Sequence, residues 1–423
     1  MTDRGALAGV RVVEFAQNAA IPHCGRLLAG MGADVVKVEP PGGDAMRGLA
    51  GLGPMEARGF ALINPNKRAM ALDLQQPAAA AVVEGLFAWA DIALVALKQQ
   101  DQERYGLEWE RARAVNPRLV YLSSNALGPH GPESHVGGYD VLVQARSGTG
   151  FVMNRSADGV PLPTRPAVND FGTGMVSALG VVAALRHRDA TGEGQRVDTS
   201  LLGTAMALGT PVLGGFEVDE PVFAEVRNDL DAARAAGVDF DTIREIYEQR
   251  VIPGAGAFRL YFRHYATADG IVSVAGLSAG LWGKFHEVTG LDEVDLAEPY
   301  GERFDRIVAE AEELFRTRTT AEWLAALGAV EYPCGPYNLP YEGLEDEQIR
   351  ANDYVVDIHH PVFGGYTASG MPLQFSATPN VDPAASPQFG EHTREILAEL
   401  GFAADEVDGL VSAGVTPDSV PGT

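Results

Sequence analysis

Short apolar runs alternate with helical patterns along the first 125 residues, and this alternation constrains the fold more than any other feature. The runs predict strands at residues 10–16, 34–39, 69–74, 92–95 and 119–123. The segments between them predict helices at residues 22–31, 77–90 and 109–115. Because consecutive strands separated by helices pair in parallel through right-handed crossovers, the sequence predicts an α/β, doubly wound parallel sheet.

The remainder of the chain follows a different pattern and predicts a second domain. Residues 267–270 (Thr-Ala-Asp-Gly) separate two apolar runs, as in a β-hairpin, and helical patterns follow them. We predict a large Rossmann-like domain of residues 1–215 and 336–423, with a smaller α+β domain inserted at residues 257–335. An acidic helical connection is predicted over residues 216–256. The predicted helix at 393–400 should pack back on the N-terminal domain.

Charge and cysteine content limit the classes of function. The chain has 32 Lys and Arg residues against 57 Asp and Glu residues, a net charge of −25. Such a chain repels phosphate backbones and anionic lipid surfaces, so we expect no nucleic acid partner and no membrane partner. Cys24 and Cys334 are far apart and outside any CxxC pair, which fits a reducing, cytoplasmic location. The longest mostly apolar stretch, residues 175–185, is shorter than a membrane span.

Several common motifs are missing. The first predicted strand is followed by Gln-Asn-Ala-Ala-Ile-Pro at residues 17–22, without the GxGxxG loop that binds dinucleotides. The sequence contains no HExxH motif, no GxSxG elbow and no P-loop. We therefore expect no metal ion.

Asp170 is the strongest catalytic candidate, and it has two interpretations. It precedes a Gly/Ala-rich segment that predicts a helix at residues 172–188. The first interpretation is an N-cap, because an aspartate before a helix accepts backbone hydrogen bonds. The second is a nucleophile, because small neighbours leave the carboxylate accessible and a carboxylate can attack an activated acyl group. The local sequence alone favours the cap.

A series of blocks in fixed order resembles the class III CoA-transferase family, of the carnitine and bile-acid type and similar to formyl-CoA transferases. The longest block, Leu-Ala-Gly-Met-Gly-Ala-Asp-Val-Val-Lys-Val-Glu-Pro-Pro, covers residues 28–41. The other blocks lie at residues 7–14, 43–47, 66–68, 72–74, 105–107, 116–121, 138–140, 170–174, 191–195, 333–336 and 390–393. Each block alone is weak, and their shared order makes the resemblance specific.

The resemblance implies a fold, an activity and partners. The family's catalytic aspartate falls on Asp170, whose carboxylate would attack an acyl-CoA thioester and form an acyl–aspartyl anhydride. The implied activity is the transfer of coenzyme A between an acyl-CoA and a carboxylic acid. The family also implies an interlocked homodimer, so a second copy of the chain is an expected partner.

The resemblance also implies the residues that contact CoA. By position these are Asn18, Ala19, Leu72, Asp73, Leu74, Gln75, Ala96, Leu97, Lys98, Arg104, His135 and Tyr139. Arg104 matches the family's phosphate-side arginine, although a solvated arginine at a helix end is the alternative. Four more cations are further candidates for the phosphates or ordinary surface residues: Lys37, Arg47, Lys67 and Arg68.

Departures from the family pattern keep other functions open. Residues 96–100 (Ala-Leu-Lys-Gln-Gln) replace the usual stretch after the fourth strand, and Ala19 stands where formate-type members have Gln. An α-methylacyl-CoA racemase is one alternative, although Tyr139 replaces the racemase histidine and tyrosine is a poor base at neutral pH. His135 could substitute for it. A non-catalytic CoA-binding protein is the other alternative.

Overall fold

The structure, a computed structural model, describes residues 4–251, 255–297 and 300–419. Its strands are β1 (Arg11–Phe15), β2 (Asp34–Glu39), β3 (Gly51–Gly53), β4 (Glu56–Ala57), β5 (Arg68–Ala71), β6 (Ile92–Val95), β7 (Val120–Asn125), β8 (Ser156–Ala157), β9 (Val160–Pro161), β10 (Arg196–Ser200), β11 (Phe262–Ala266), β12 (Ile271–Ala275), β13 (Cys334–Pro336), β14 (Val355–His360) and β15 (Gly364–Ser369).

Helices connect these strands. They are α1 (Ala20–Gly30), α2 (Arg58–Ile63), α3 (Ala79–Trp89), α4 (Gln99–Tyr105), α5 (Trp109–Val115), α6 (Asp140–Ser147), α7 (Thr149–Met153), α8 (Val168–Thr191), α9 (Leu201–Leu208), α10 (Thr210–Leu213), α11 (Glu220–Ala235), α12 (Phe240–Val251), α13 (Ala255–Leu260), α14 (Ala279–Thr289), α15 (Glu302–Phe315), α16 (Thr320–Ala329), α17 (Pro340–Glu345), α18 (Glu347–Ala351), α19 (Thr393–Glu399) and α20 (Ala404–Ser412).

A six-stranded sheet forms the centre of the N-terminal half, in the order β10-β7-β6-β1-β2-β5. Every neighbouring pair in it is parallel, which confirms the predicted α/β fold with a large parallel sheet. After β1 the chain builds outward through β2 and β5, and it then returns to the other side of β1 with β6. The strand order therefore reverses between β1 and β6, and a crevice at such a point is the usual ligand site of an open parallel sheet.

Helices cover both faces of this sheet. On one face Phe87 of α3 and Leu397 of α19 belong to the same buried cluster as Val13 of β1. On the other face Leu28 of α1 and Val181 of α8 pack in a second buried cluster. The predicted packing of the C-terminal helix on the N-terminal domain is confirmed. The N–H of His392, the residue before α19, donates to the Ala69 carbonyl oxygen of β5 at 3.0 Å.

Helix α8 is longer than the sequence predicts, beginning at Val168 instead of residue 172 and ending at Thr191. By length and composition this helix is long and apolar enough to cross a membrane, which residues 175–185 alone are not. However, 44% of its most apolar 18-residue stretch is buried inside the protein, as in the core helix of a globular protein. It packs closely along α1, since a Cβ atom at Gly174 would lie 2.6 Å from the Ala20 carbonyl oxygen. Small residues permit this close approach of two helices.

The described residues divide into two compact units. One unit comprises those of Met1–Arg155, Leu162–Leu213 and Glu347–Thr423, and the other those of Ser156–Pro161 and Gly214–Asp346. In the second unit, β11 and β12 form the predicted antiparallel hairpin, and β13 adds a third strand. The acidic segment forms α11 and α12, which confirms the helical pattern there. The domain boundaries predicted from the sequence stay a prediction.

Candidate active site

A cavity of about 430 Å³ opens at the carboxyl ends of the parallel strands, where the strand order reverses. Its walls come from the segments that follow β1, β2, β5 and β6. Eight of the residues predicted to contact CoA line it: Asn18, Leu72, Asp73, Leu74, Gln75, Ala96, Leu97 and Lys98. The location follows from topology, because the segments that leave neighbouring parallel strands meet at the same edge of the sheet.

A second cavity of about 170 Å³ adjoins the first and contains Asp170. Three further predicted residues, Ala19, His135 and Tyr139, line it as well. The two cavities share five lining residues, which are Gln17, Asn18, Ala96, Leu97 and Lys98. The structure thus brings the predicted nucleophile and eleven of the twelve predicted contact residues to one continuous site. The roles of these residues stay predictions.

Arg104 is the predicted contact residue that does not line either cavity. It lies near the end of α4 with an exposed side chain, and its guanidinium group is 5.4 Å from the centre of the Tyr105 ring. Tyr105 itself lines the larger cavity. Arg104 is therefore one residue removed from the cavity wall, whereas Lys98 lines both cavities directly.

The position of Asp170 on α8 corrects the N-cap interpretation. Ala167 is the N-cap of the helix and Asp170 is the third helical residue, with no side-chain capping bond in this turn. Instead, a residue from another helix supplies the cap. The Asn169 N–H donates to Asp140 Oδ1 at 2.9 Å, which satisfies one of the free N–H groups of the first turn. Asp140 is buried, and its other carboxylate oxygen accepts a bond from Gln144.

The electrostatic surroundings raise the pKa of the Asp170 carboxyl group well above the ordinary value for aspartate. Partial burial and, to a smaller extent, the nearby charge of Asp140 together raise the pKa of Asp170 to about 6. Because this pKa lies below 7, the ionised carboxylate predominates at neutral pH and lines the cavity. A carboxylate with a raised pKa is also more basic than an exposed one, which favours nucleophilic attack.

The loop after β1 is fixed by a buried aspartate. Asn18 has the left-handed φ of 66°, and its N–H donates to Asp44 Oδ1 at 3.2 Å. Asp44 Oδ2 in turn lies 2.8 Å from Lys37 Nζ, and both of these side chains are fully buried. The loop that forms the wall shared by the two cavities is therefore held in place by the buried ion pair of Asp44 and Lys37.

The structure corrects the interpretation of four other cations. Lys37, Lys67 and Arg47 are neither phosphate contacts nor surface residues, because their side chains are at most 1% exposed and each pairs with a glutamate. Lys37 and Lys67 share Glu14, whereas Arg47 binds Glu39. The fourth, Arg68, is largely buried and pairs with acidic residues at positions 34, 395 and 399. Lys37 lies on β2, within a sheet that is covered on both faces, so its side chain has no solvent side.

Several residues at the site were missed from the sequence. Asp44 and Asp140 stood in blocks that carried the resemblance but were given no role. Other lining residues were not singled out at all, among them Gln17, Asp101, Ser124 and Asn125. The predicted topology could have indicated these lining residues, because each follows a predicted strand of the parallel sheet. Among the residues that the structure describes, no group of three or more His, Cys, Asp or Glu side chains could hold a metal ion.

Comparison with protein families gives a match over nearly the whole chain. The model of CoA-transferase family III matches residues 7–393. The chain is also similar to proteins named formyl-CoA:oxalate CoA-transferase. It is 31% identical to that of Rhodopseudomonas palustris over 97% of both chains, and 32% identical to that of Bradyrhizobium diazoefficiens with the same coverage. A relative of that name from Streptomyces avermitilis is 32% identical over 97% of this chain and 99% of its own.

Solved structures share the fold. A CAIB/BAIF family protein from Brucella suis superposes with a TM-score of 0.71 at 27% identity, over 94% of this chain and all of the other. The Rv3272 protein of Mycobacterium tuberculosis superposes with a TM-score of 0.72 at 24% identity, over 92% of this chain and 98% of its own. The second likeness supports the fold alone.

Proposed function

Because this chain belongs to CoA-transferase family III, we propose that it transfers coenzyme A between an acyl-CoA and a carboxylic acid through covalent intermediates on Asp170. One observation carries the proposal. Asp170 lines the small cavity, which shares a wall with the larger cavity at the strand ends, so one bound thioester could reach both. Positioning of the reacting groups is what makes an otherwise weak carboxylate nucleophile effective.

The proposed reaction balances without any other reactant. The Asp170 carboxylate attacks the thioester carbonyl, the C–S bond breaks, and CoA leaves as a thiolate from an acyl–aspartyl anhydride. The thiolate attacks the aspartyl carbonyl of that anhydride, releasing the first acid and leaving CoA as a thioester on Asp170. The second acid attacks this thioester, forming a new anhydride and freeing the thiolate. The thiolate then attacks the new acyl carbonyl, which regenerates the carboxylate.

Within this proposal, the larger cavity takes the nucleotide half of CoA and the smaller one takes the thioester. Lys98 supports the assignment because it is a cation on the wall of both cavities and forms no salt bridge among the described residues. Cations favour phosphate groups by charge-assisted hydrogen bonds. Arg104 would act at the rim, beside Tyr105. The acidic Asp73 and Asp101 also line the larger cavity.

The acyl group and acceptor acid are the least constrained part of the proposal. The activity for which the relatives are named makes formyl-CoA and oxalate the first pair to test. The small volume around Asp170 is consistent with small acids. The alanine at position 19 differs from the glutamine of formate-type members, and this argues for a panel of short acids in addition to oxalate.

A second candidate function is an isomerase that moves an α-proton of an acyl-CoA. One observation favours it, namely that His135 lines the same small cavity as Asp170, so a base and an acid could face one substrate. Incubation in deuterated water distinguishes the two functions. A transferase moves label between acids and thioesters, whereas an isomerase places deuterium at the α-carbon of the acyl-CoA.

We also propose a cytoplasmic homodimer. Helix α8 supports the dimer because it exposes an apolar stripe at helical spacing, formed by Met175, Leu179 and Val182. Leu179 is 70% exposed, an unfavourable position for leucine in a monomer. Both cysteines are free thiols, which fits a reducing compartment. Light scattering at micromolar concentration tests the dimer, and a monomer would contradict it.

Transfer itself is tested with purified protein, formyl-CoA and ¹³C-labelled acids. Label appearing in newly formed thioester, in proportion to enzyme, would support the proposed function. CoA binding by titration calorimetry, with neither label exchange nor α-deuteration for formyl-CoA or a longer acyl-CoA, would instead support a CoA-binding protein without catalysis.

A further inference from the structure

A third cavity, of about 550 Å³, lies in the same compact unit and shares no lining residue with the two cavities at Asp170. It is bounded by the C-terminal part of α1 and by the segments around β14 and β15. Its volume falls within the usual range of small-molecule sites. Arg26 of α1 lines it and is only 9% exposed.

Arg26 differs from the other buried cations that the structure describes. Lys37, Arg47, Lys67 and Arg188 each have a carboxylate oxygen within 3.0 Å. Arg26 forms no salt bridge with any residue in the described part of the chain. Its guanidinium group donates to Ser369 alone, to the Oγ atom at 3.1 Å and to the carbonyl oxygen.

An unbalanced buried charge is unfavourable, because burial removes hydration that a neutral partner replaces only in part. Burial accordingly lowers the pKa of Arg26 from its ordinary value, and the interaction that acts against this shift comes from the phenol of Tyr366, not from a carboxylate. The guanidinium group has five N–H donors, and the bonds to Ser369 engage only part of them. An anion in the adjoining cavity would supply both the missing charge and the missing acceptors.

We propose that this cavity binds a small molecule with one carboxylate group and an apolar body, held by Arg26. The carboxylate fits because its two oxygens match the planar fork of a guanidinium group. The apolar body fits because Val356, Ile358, Met371 and Phe375 form part of the wall. A second negative charge is disfavoured because Asp353 and Asp382 also line the cavity.

The site is separate from the proposed transfer reaction, so the two can fail independently. Titration calorimetry on the full-length protein with hexanoate and with its uncharged analogue hexanamide tests the inference. We expect saturable binding of hexanoate at Arg26, and affinity for hexanamide lower by about tenfold or more, since the amide carries no charge to strengthen its hydrogen bonds to the guanidinium group.

Matched variants locate the binding. Arg26→Gln should weaken hexanoate binding about tenfold, whereas Arg4→Gln should change it by less than about threefold. Arg4 lines the same cavity, but its side chain is 58% exposed and already pairs with Asp382. Arg26→Lys keeps the charge and loses the fork, so it should fold and bind with intermediate affinity. If Arg26→Gln does not fold, Arg26→Lys and a crystal structure of the native protein with ligand locate the binding.

A crystal structure with 6-bromohexanoate identifies the occupant. Bromine density in the cavity, with the carboxylate on Arg26, would support the inference. Three results would overturn it: no hexanoate binding at millimolar concentration, bromine only at Asp170, or an acidic side chain of a second copy of this chain seated on Arg26.

Discussion

Asp140 Oδ1 accepts a hydrogen bond of 2.9 Å from the Asn169 N–H, and this contact joins the start of α6 to the first turn of α8. It places a buried carboxylate next to the turn that carries Asp170. The same contact explains two properties of the site. It caps a helix whose own N-cap is an alanine, and it keeps a negative charge close enough to raise the pKa of Asp170.

Replacing Asp140 should separate these two effects. Asp140→Asn retains an oxygen that can accept the Asn169 N–H but removes the charge, so the pKa of Asp170 should fall below about 6 while the fold persists. Asp140→Ala removes the cap as well and should cost about 1 kcal/mol of stability. Urea unfolding and the pH dependence of transfer measure the two effects. Equal pH profiles for native protein and Asp140→Asn would show that Asp140 does not act on Asp170 electrostatically.

The rate of transfer should depend on pH through Asp170. Only the ionised carboxylate can attack, and burial raises the pKa of Asp170 to about 6. The kcat/KM for acyl-CoA should therefore rise with pH, reach half its plateau near pH 6, and stay high above pH 7. A stopped assay from pH 4.5 to pH 8 measures this profile. A half-maximum near pH 4, the ordinary value for aspartate, would contradict the electrostatics described for the site.

The two cations near the cavities should differ in their effect on CoA binding. Lys98→Ala should raise KM for acyl-CoA about tenfold, because Lys98 lines both cavities. Arg104→Ala should raise KM only about threefold, because Arg104 is exposed at the rim. Neither variant should change kcat much, since a remote phosphate contact stabilises ground state and transition state alike.

Arg113→Ala provides the matched control for Arg104. Arg113 is also exposed and its guanidinium group also lies near an aromatic ring, that of Trp109, at 6.0 Å. It does not line the cavities at Asp170, so its removal should leave KM unchanged. Steady-state kinetics on Lys98→Ala, Arg104→Ala and Arg113→Ala measure these effects. An equal rise in KM for Arg104→Ala and Arg113→Ala would contradict a phosphate role for Arg104.

The fold was largely predictable from the sequence because parallel strands and crossover helices leave a local signature in hydrophobic periodicity. Asp170 and most of the cavity residues came from the resemblance, since nothing local distinguished Asp170 from a helix cap. The start of α8 was misjudged because its cap, Asp140, lies 29 residues away from Asn169. Lys37 was misjudged because its partner Glu14 lies on a neighbouring strand, 23 residues away. Such partners appear only once the strands are paired.

Lys37→Met tests whether the buried ion pairs stabilise the fold. The variant leaves Glu14 with one of its two cations and Asp44 without its cation, in a fully buried setting. We expect the free energy of unfolding to fall by about 3–5 kcal/mol, as for other broken buried pairs. Arg111→Met removes an exposed pair with Glu84 and should cost at most about 1 kcal/mol. Similar losses in the two variants would contradict the structural role of Lys37.

Asp170→Asn tests whether Asp170 is the nucleophile, and the test requires evidence that this variant folds. Because burial raises the pKa of Asp170, the ionised form is less favoured in the folded protein than in the unfolded chain. The contribution of Asp170 to the free energy of unfolding should therefore fall as pH rises from about 4 to about 6. Asparagine carries no charge, so the variant should be at least as stable as the native protein at pH 8. Thermal unfolding at pH 8 checks this.

The most direct test traps the covalent intermediate. Native protein incubated with acyl-CoA and hydroxylamine should acquire a hydroxamate on Asp170, identified by peptide mass spectrometry, because hydroxylamine attacks an activated aspartyl carbonyl. Asp170→Asn should show no such product and should retain less than about a tenth of native transfer, a barrier increase above about 1.4 kcal/mol. An unmodified Asp170 in a transfer-active native enzyme, or a folded Asp170→Asn variant with near-native transfer, would contradict the account.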